Sequence, residues 1–255
     1  MNMNLLSPVP LRRHLAGALL ALAAASLAPA EPVNVGSRLE PFVDETLIDR
    51  TQGVELRLHE PRSEGTVFTF DQPWEGVTSG YVTMFKDGDR FRMYYRGSSD
   101  PSYTIKATVR PDEKIVPEHP QYACYAESTD GIHWTRPNLG LFEFQGSKAN
   151  NIIWVAAGSH NFSPFKDENP DAPADERYKA VASSNYDGDK KQPVLLGFVS
   201  ADGVHWRPAQ DKPIITDGAF DSLNVAFWDA ERGVYRAYWR YFTAGTIDDK
   251  QWKPA

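Results

Sequence analysis

The sequence predicts an all-β fold made from a repeated strand unit, an incomplete β-propeller, preceded by an export signal. Three observations predict it. No segment after residue 30 keeps helical periodicity; short runs rich in aromatic and β-branched residues alternate instead with Gly, Pro, Asp and Asn clusters. The heptapeptide STDGIHW at Ser128–Trp134 returns 72 residues later as SADGVHW at Ser200–Trp206. The hairpin VTMFKDGDRFRMYYRG at residues 82–97 returns loosely as VAFWDAERGVYRAYWRYF at 225–242.

Residues 1–30 read as a signal peptide. Arg12 and Arg13 supply a basic start, residues 15–28 an unbroken small and apolar stretch, and Ala28-Pro29-Ala30 a small-x-small cleavage pattern. A stretch of 14 residues is short of the roughly 20 that span a bilayer. The mature chain, from Glu31, is therefore expected to be periplasmic or extracellular, with no membrane attachment after cleavage. The formal net charge of −7 becomes about −9 once the two leader arginines are removed. An acidic protein without a Lys/Arg cluster argues against nucleic acid and anionic membranes as partners. Cys124 is the single cysteine, so no intrachain disulfide braces the fold. Its neighbours Tyr122, Ala123 and Tyr125 mark it as a small buried hydrophobe rather than a nucleophile.

Strands are expected at residues 81–86, 91–96, 122–127, 178–182, 195–199, 225–228 and 235–241. Asp87-Gly88-Asp89 joins the first two with the residue types a tight hairpin needs, and residues 229–233 repeat the device in longer form. Residues 98–121 and 165–176 are long, poorly apolar connections of the kind that line a site or move. Each unit thus reads strand, turn, strand, loop, strand, then the DG-x-H-W turn. A hairpin alone cannot bury a face, whereas four-stranded sheets repeated around an axis can. A β-sandwich would explain the strands but not the duplicated heptapeptide. About three units are visible, so residues 31–255 read as the N-terminal part of a propeller domain.

The SxDGxHW turns, the hairpin ending FRMYYRG and the segment PFVDETLIDR together resemble the five-bladed propellers of arabinanases, levansucrases and invertases, glycoside hydrolase families 32, 43 and 68. HNFSPFKDENP and FDSLNVAFWD resemble bacterial secreted proteins of the glycosyl hydrolase family 32-like kind. The resemblance spans residues 40–245 and implies a secreted glycoside hydrolase-like protein that cleaves a polysaccharide or oligosaccharide between paired carboxylates. The departures point to an alternative, a non-catalytic carbohydrate-binding propeller. The family's Asn-Asp-Pro-Asn-Gly nucleophile loop is replaced by Trp74-Glu75-Gly76-Val77-Thr78-Ser79-Gly80, its Arg-Asp-Pro motif by Phe220-Asp221-Ser222-Leu223-Asn224, and no fourth blade carries its acid/base Glu.

Asp221, at the position the resemblance gives to a transition-state stabiliser, leads the candidate catalytic residues. Glu75 follows, between Trp74 and the open backbone of Gly76 and Gly80. Asp44, flanked by apolar residues, is the third candidate carboxylate and is expected to be partly buried and hydrogen-bonded. His160, Asn161 and Asp167 precede a strand and combine planar polar groups with Phe162, as sugar recognition requires; Asn224, Arg96 and Trp228 join them as candidate substrate-binding residues. Asn161-Phe162-Ser163 also fits a glycosylation sequon. Glu75, His160, Asn161 and Asp221 each precede the first strand of a unit and are expected to converge on one concave face. The turns resemble the Asp box of sialidases, which gives Asp130, Trp134, Asp202 and Trp206 structural roles, with both tryptophans largely buried. His133 and His205 recur with the turn and belong to the scaffold. No HExxH, CxxC or phosphate-cradling Gly loop occurs, so no metal or other cofactor is expected.

Overall fold

The computed structural model describes residues 31–99, 119–187, 190–242, 245–247 and 250–252; the expected signal peptide and most of the 98–121 connection lie outside them. The chain divides into two units, residues 1–62 and 63–255.

In the first unit the described residues form turns and extended segments without helix or strand. Side chains satisfy the turns: Asn34 Oδ1 accepts from the Gly36 N–H at 2.9 Å, and Asp44 Oδ1 from the Thr46 N–H at 2.9 Å. Asp44 is exposed, not partly buried as its apolar neighbours suggest. The Thr46 backbone N–H, then its hydroxyl, lowers the Asp44 pKa.

The second unit is all-β. Its described residues contain strands β1 to β13, and their one helical piece is a short 3₁₀ turn at Ala174–Glu176. Strands β1 (Gly80–Asp87), β2 (Arg90–Gly97), β3 (Tyr122–Ser128) and β4 (Trp134–Thr135) form an antiparallel meander in sequence order, with β5 (Ile152–Trp154) also paired to β3. A second four-stranded meander holds β6 (Ser163–Lys166), β7 (Tyr178–Asp187), β8 (Lys190–Ser200) and β9 (Arg207–Pro208). β10 (Val225–Asp229) pairs with β11 (Val234–Tyr238), and β12 (Gly245–Ile247) with β13 (Lys250–Trp252). All seven expected strands are present. β4, β5, β6, β9, β12 and β13 are additions to them; at β6, Pro164 and the turn-rich sequence that follows mask a four-residue strand.

Period-2 alternation sends neighbouring side chains to opposite faces of each sheet. On β2, Tyr94 enters a cluster with Tyr125, Phe162, Tyr178, Phe198 and Trp206, which joins the first sheet to the second. Its neighbours Met93 and Tyr95 point the other way, to Cys124, Ile152 and Phe144. Cys124 is fully buried and unpaired, and burial pushes its thiol pKa well up. Val181, Leu195 and Phe220 form a third cluster under the start of β10.

The two DG-x-H-W turns repeat atom for atom. Asp130 Oδ1 accepts the N–H groups of Ile132 and His133, both at 2.8 Å, and Trp134 Nε1 donates to Gly131 O at 3.0 Å. Asp202 Oδ1 accepts from Val204 and His205, again at 2.8 Å, and Trp206 Nε1 donates to Gly203 O at 3.0 Å. Each carboxylate also meets its histidine Nδ1 at 2.7 Å. Gly131 and Gly203 hold φ of 77° and 78°, the left-handed region that disfavours a side chain. A Cβ on Gly203 would also lie 2.7 Å from the Tyr94 hydroxyl. The tryptophans differ in burial: Trp206 is 9% exposed against the first sheet, whereas Trp134 is only half-buried, covered by the cluster that includes Phe68, Phe70 and Trp74.

A second repeat is set at the strand ends. Phe85-Lys86-Asp87, Phe165-Lys166-Asp167 and Phe227-Trp228-Asp229 end the first strands of three sheets in the same register, with Arg92, Lys179 and Arg236 opposite the phenylalanines. Asp87 accepts from Arg92 Nε at 2.6 Å, Lys166 Nζ at 2.5 Å and the Tyr178 hydroxyl at 2.6 Å. Asp167 takes Lys179 Nζ at 2.8 Å and the Tyr235 hydroxyl at 2.7 Å. Asp229 meets Arg236 Nε at 3.1 Å. Twice, then, an aspartate at the end of one sheet's first strand is bound by a base of its own sheet and a tyrosine of the next sheet.

Candidate functional site

The starts of the three first strands meet around a depression of about 690 Å³, lined by Thr78, Ser79, Tyr81, Arg96, Gln121, His160, Ser183, Asn185 and Asp221. A second hollow of about 580 Å³ adjoins it and shares Gln121, His160, Ser183 and Asn185. The lining is mostly planar polar groups and hydroxyls, with one aromatic ring and one imidazole.

Tyr81 reaches the depression because β1 shifts register between Gly80 and Thr83. The irregularity re-aims its side chain and holds its backbone at φ 51°, which is rare for a residue with a Cβ. The Arg96 guanidinium lies over the Tyr81 ring, 4.6 Å from its centre, and donates to Thr78 O at 2.6 Å. His160 adjoins both the arginine and the Tyr81 ring. Its Nδ1 is 3.2 Å from Arg96 Nη1 and 2.9 Å from Gln121 Oε1, and its ring is 5.1 Å from that of Tyr81. Burial, then the Arg96 charge, lowers the His160 pKa. Its imidazole is therefore neutral at neutral pH. Asp221 is exposed and paired with Arg240, whose donated hydrogen bond lowers its pKa despite partial desolvation. It is a carboxylate at neutral pH, open to the depression.

Of the residues singled out from sequence, Arg96, His160 and Asp221 thus come together here. Glu75 does not line the depression. Its carboxylate is buried beneath the start of β1, bound at 2.9 Å on both oxygens by Arg136, at 2.5 Å by the Tyr95 hydroxyl, and at 3.0 Å by the Gln72 N–H. Asn161 and Asn224 are also buried, with their amides turned to the backbone of residues 220–222. A buried Asn161 is no surface glycosylation acceptor, whatever its sequon. Asp167 is bound by Lys179 and Tyr235, away from the depression. Trp228 lines a separate groove between β1, β6 and β10. Asp44 belongs to the first unit.

Sequence reasoning missed Tyr81, Gln121, Asn185 and Arg240. For Arg240 a signal existed: Arg92-Met-Tyr-Tyr-Arg96 and Arg236-Ala-Tyr-Trp-Arg240 occupy matching hairpin positions. Asn185 carries none, since it enters through the length of β7, which outruns its apolar stretch. Among the described residues no three His, Cys, Asp or Glu side chains gather as metal ligands.

No family model and no curated protein matches the sequence. Among solved structures, a protein from Parabacteroides distasonis, provisionally named a glycoside hydrolase, is similar at 16% identity and a TM-score of 0.37, over 71% of this protein and 51% of that one. An RGII complex of BT0996 is similar at 13% identity and a TM-score of 0.36, over 60% of this protein and 45% of that one. The sequence spans about half the length of these structures.

Proposed function

We propose that this protein is an exported, glycoside hydrolase-like protein of propeller architecture that binds carbohydrate in the depression around Tyr81, His160 and Asp221. The observation that carries the reading is the lining itself. Gln121, Asn185, Ser79, Ser183 and Asp221 offer donors and acceptors in several directions, beside the edges of Tyr81 and His160. A hydroxyl-rich ligand, itself a donor and acceptor in several directions, suits such a lining. The four-strand meanders β1–β4 and β6–β9, and the contacts of β6 with both β1 and β10, support the propeller reading.

Binding is favoured over cleavage. Glycoside hydrolysis needs two carboxyl groups across the scissile bond, about 5–10 Å apart. Asp221 is the one carboxylate lining the depression among the described residues, and Glu75 is committed to Arg136. A hydrolytic reading keeps one supporting observation: Asp221 is exposed and held ionised, as a stabiliser or nucleophile must be.

Calorimetric titration with soluble plant and algal polysaccharide fragments tests both. Binding of at least one fragment, weakened about tenfold or more in His160→Ala and Asp221→Asn, is expected. Equal affinity in both variants would place the glycan elsewhere. Reducing-end release by the wild type, lost in Asp221→Asn, would move the assignment to hydrolysis.

A further inference from the structure

The loop that carries Asp221 is held by side chains that bind its backbone carbonyls. Its three consecutive carbonyl oxygens are captured by side chains from three strand starts. Asn161 Nδ2, just before β6, donates to Phe220 O at 2.7 Å and to Ser222 O at 2.6 Å. Asn224 Nδ2, just before β10, donates to the same two oxygens at 3.1 and 3.0 Å. The Tyr81 hydroxyl, at the start of β1, donates to the oxygen between them, Asp221 O, at 2.8 Å. Asn161 Oδ1 in turn accepts the N–H of Ser183, another residue of the depression, at 2.8 Å.

Two local costs accompany this clamp. Tyr81 adopts its left-handed backbone, and Asn224 Oδ1 is buried without a donor among the described residues. The Asn161 amide is satisfied on both of its ends, so the unmet acceptor lies on Asn224 alone. A strained backbone at Tyr81 and one unmet acceptor at Asn224 that persist around one loop point to a requirement on where that loop stands.

We infer that Tyr81, Asn161 and Asn224 are positioning residues, which fix the 220–222 backbone so that the Asp221 carboxylate faces the depression at a set distance from His160. The inference rests on the reading of the depression as a glycan site. Because the three clamps come from three sheets, they also tie the carboxylate's place to the mutual packing of those sheets. Preorganisation of this kind removes the ordering cost a flexible loop would pay on binding.

The direct test records the pH titration of the Asp221 side-chain carboxyl by carbon NMR, in the wild type, Tyr81→Phe and Asn224→Ala. The charged and titratable groups facing it are Arg240 and His160. Tyr81→Phe removes one hydroxyl and keeps the ring, so it remains folded even if Asn224→Ala does not. The wild-type carboxyl is expected to titrate below an ordinary aspartate, and Tyr81→Phe to move it upward as the loop drifts from Arg240. Glycan affinity is expected to fall roughly three- to tenfold in the same variant, the range one neutral hydrogen bond covers. An unchanged Asp221 titration in folded Tyr81→Phe would overturn the inference. Absence of glycan binding by the wild type would instead refute the reading of the depression, and the titration would still report on the clamp.

Discussion

Glu75 shows how far one residue's neighbourhood can mislead. Between Trp74 and Gly76, it has the local sequence of an accessible loop carboxylate. Its partners come from far along the sequence: Arg136 lies 61 residues away and Tyr95 lies 20 away. No spacing rule joins them. Removing one member of a buried, bidentate ion pair leaves the other charge without compensation. Glu75→Gln is accordingly expected to cost about 3–5 kcal/mol in urea unfolding. A loss within experimental error would mean that the carboxylate is not committed to the scaffold. Asn161 is the converse case. Its sequence context suggests a sugar contact, and the structure gives it the backbone of the loop that carries Asp221. Arg96 was legible because it ends a repeated hairpin, Asp221 from its place in the resembling motif, and His160 from its setting beside Phe162 ahead of a strand.

At the scale of elements, the strand-end repeat is written in the sequence as FKD, FKD and FWD, the first two of them inter-sheet latches, but hidden by its unequal spacing. The first two lie 80 residues apart and the last two 62 apart, set by loops of different length. The duplicated DG-x-H-W turn was visible because its capping is entirely local; a latch spans two sheets and requires the fold. Tyr178→Phe removes a hydroxyl that serves a partly buried, ionised Asp87, and is expected to destabilise by about 1–2 kcal/mol. Tyr235→Phe should cost less, since Tyr235 is about half exposed. Comparable losses in both, or none in either, would argue against the latch. Asp87 also fixes an acid limb. Burial raises its pKa, but Lys166, Tyr178 and Arg92 outweigh that and hold it at about 2. A folded pKa below the unfolded value of about 3.9 gives stability that is complete above that value and lost as pH falls through the folded one. Unfolding free energy is therefore expected to drop between about pH 4 and pH 2, and less steeply in Tyr178→Phe. A pH profile with the same slope in both would remove Asp87 from the account.

Over the whole second unit, large aromatic side chains between sheets provide the cohesion that a single cysteine cannot. Trp206, 9% exposed and edge-on to Tyr94 of β2 at 6.4 Å, joins the first two sheets. Trp206→Ala is expected to cost about 3–5 kcal/mol, and Trp134→Ala clearly less, because Trp134 is packed on a half-covered face. Equal losses would mean that the two turns bury their rings alike after all. This packing also brings together three strand starts that are distant in sequence, and so makes one depression from Tyr81, His160 and Asp221. Binding of a glycan there is the central claim, and aromatic NMR tests it most directly. With ring-labelled Tyr, His and Trp, addition of a binding polysaccharide fragment should shift the Tyr81 and His160 signals and leave Trp228, in the separate groove, unmoved. Saturable shifts at Trp228 with Tyr81 and His160 unchanged would contradict it.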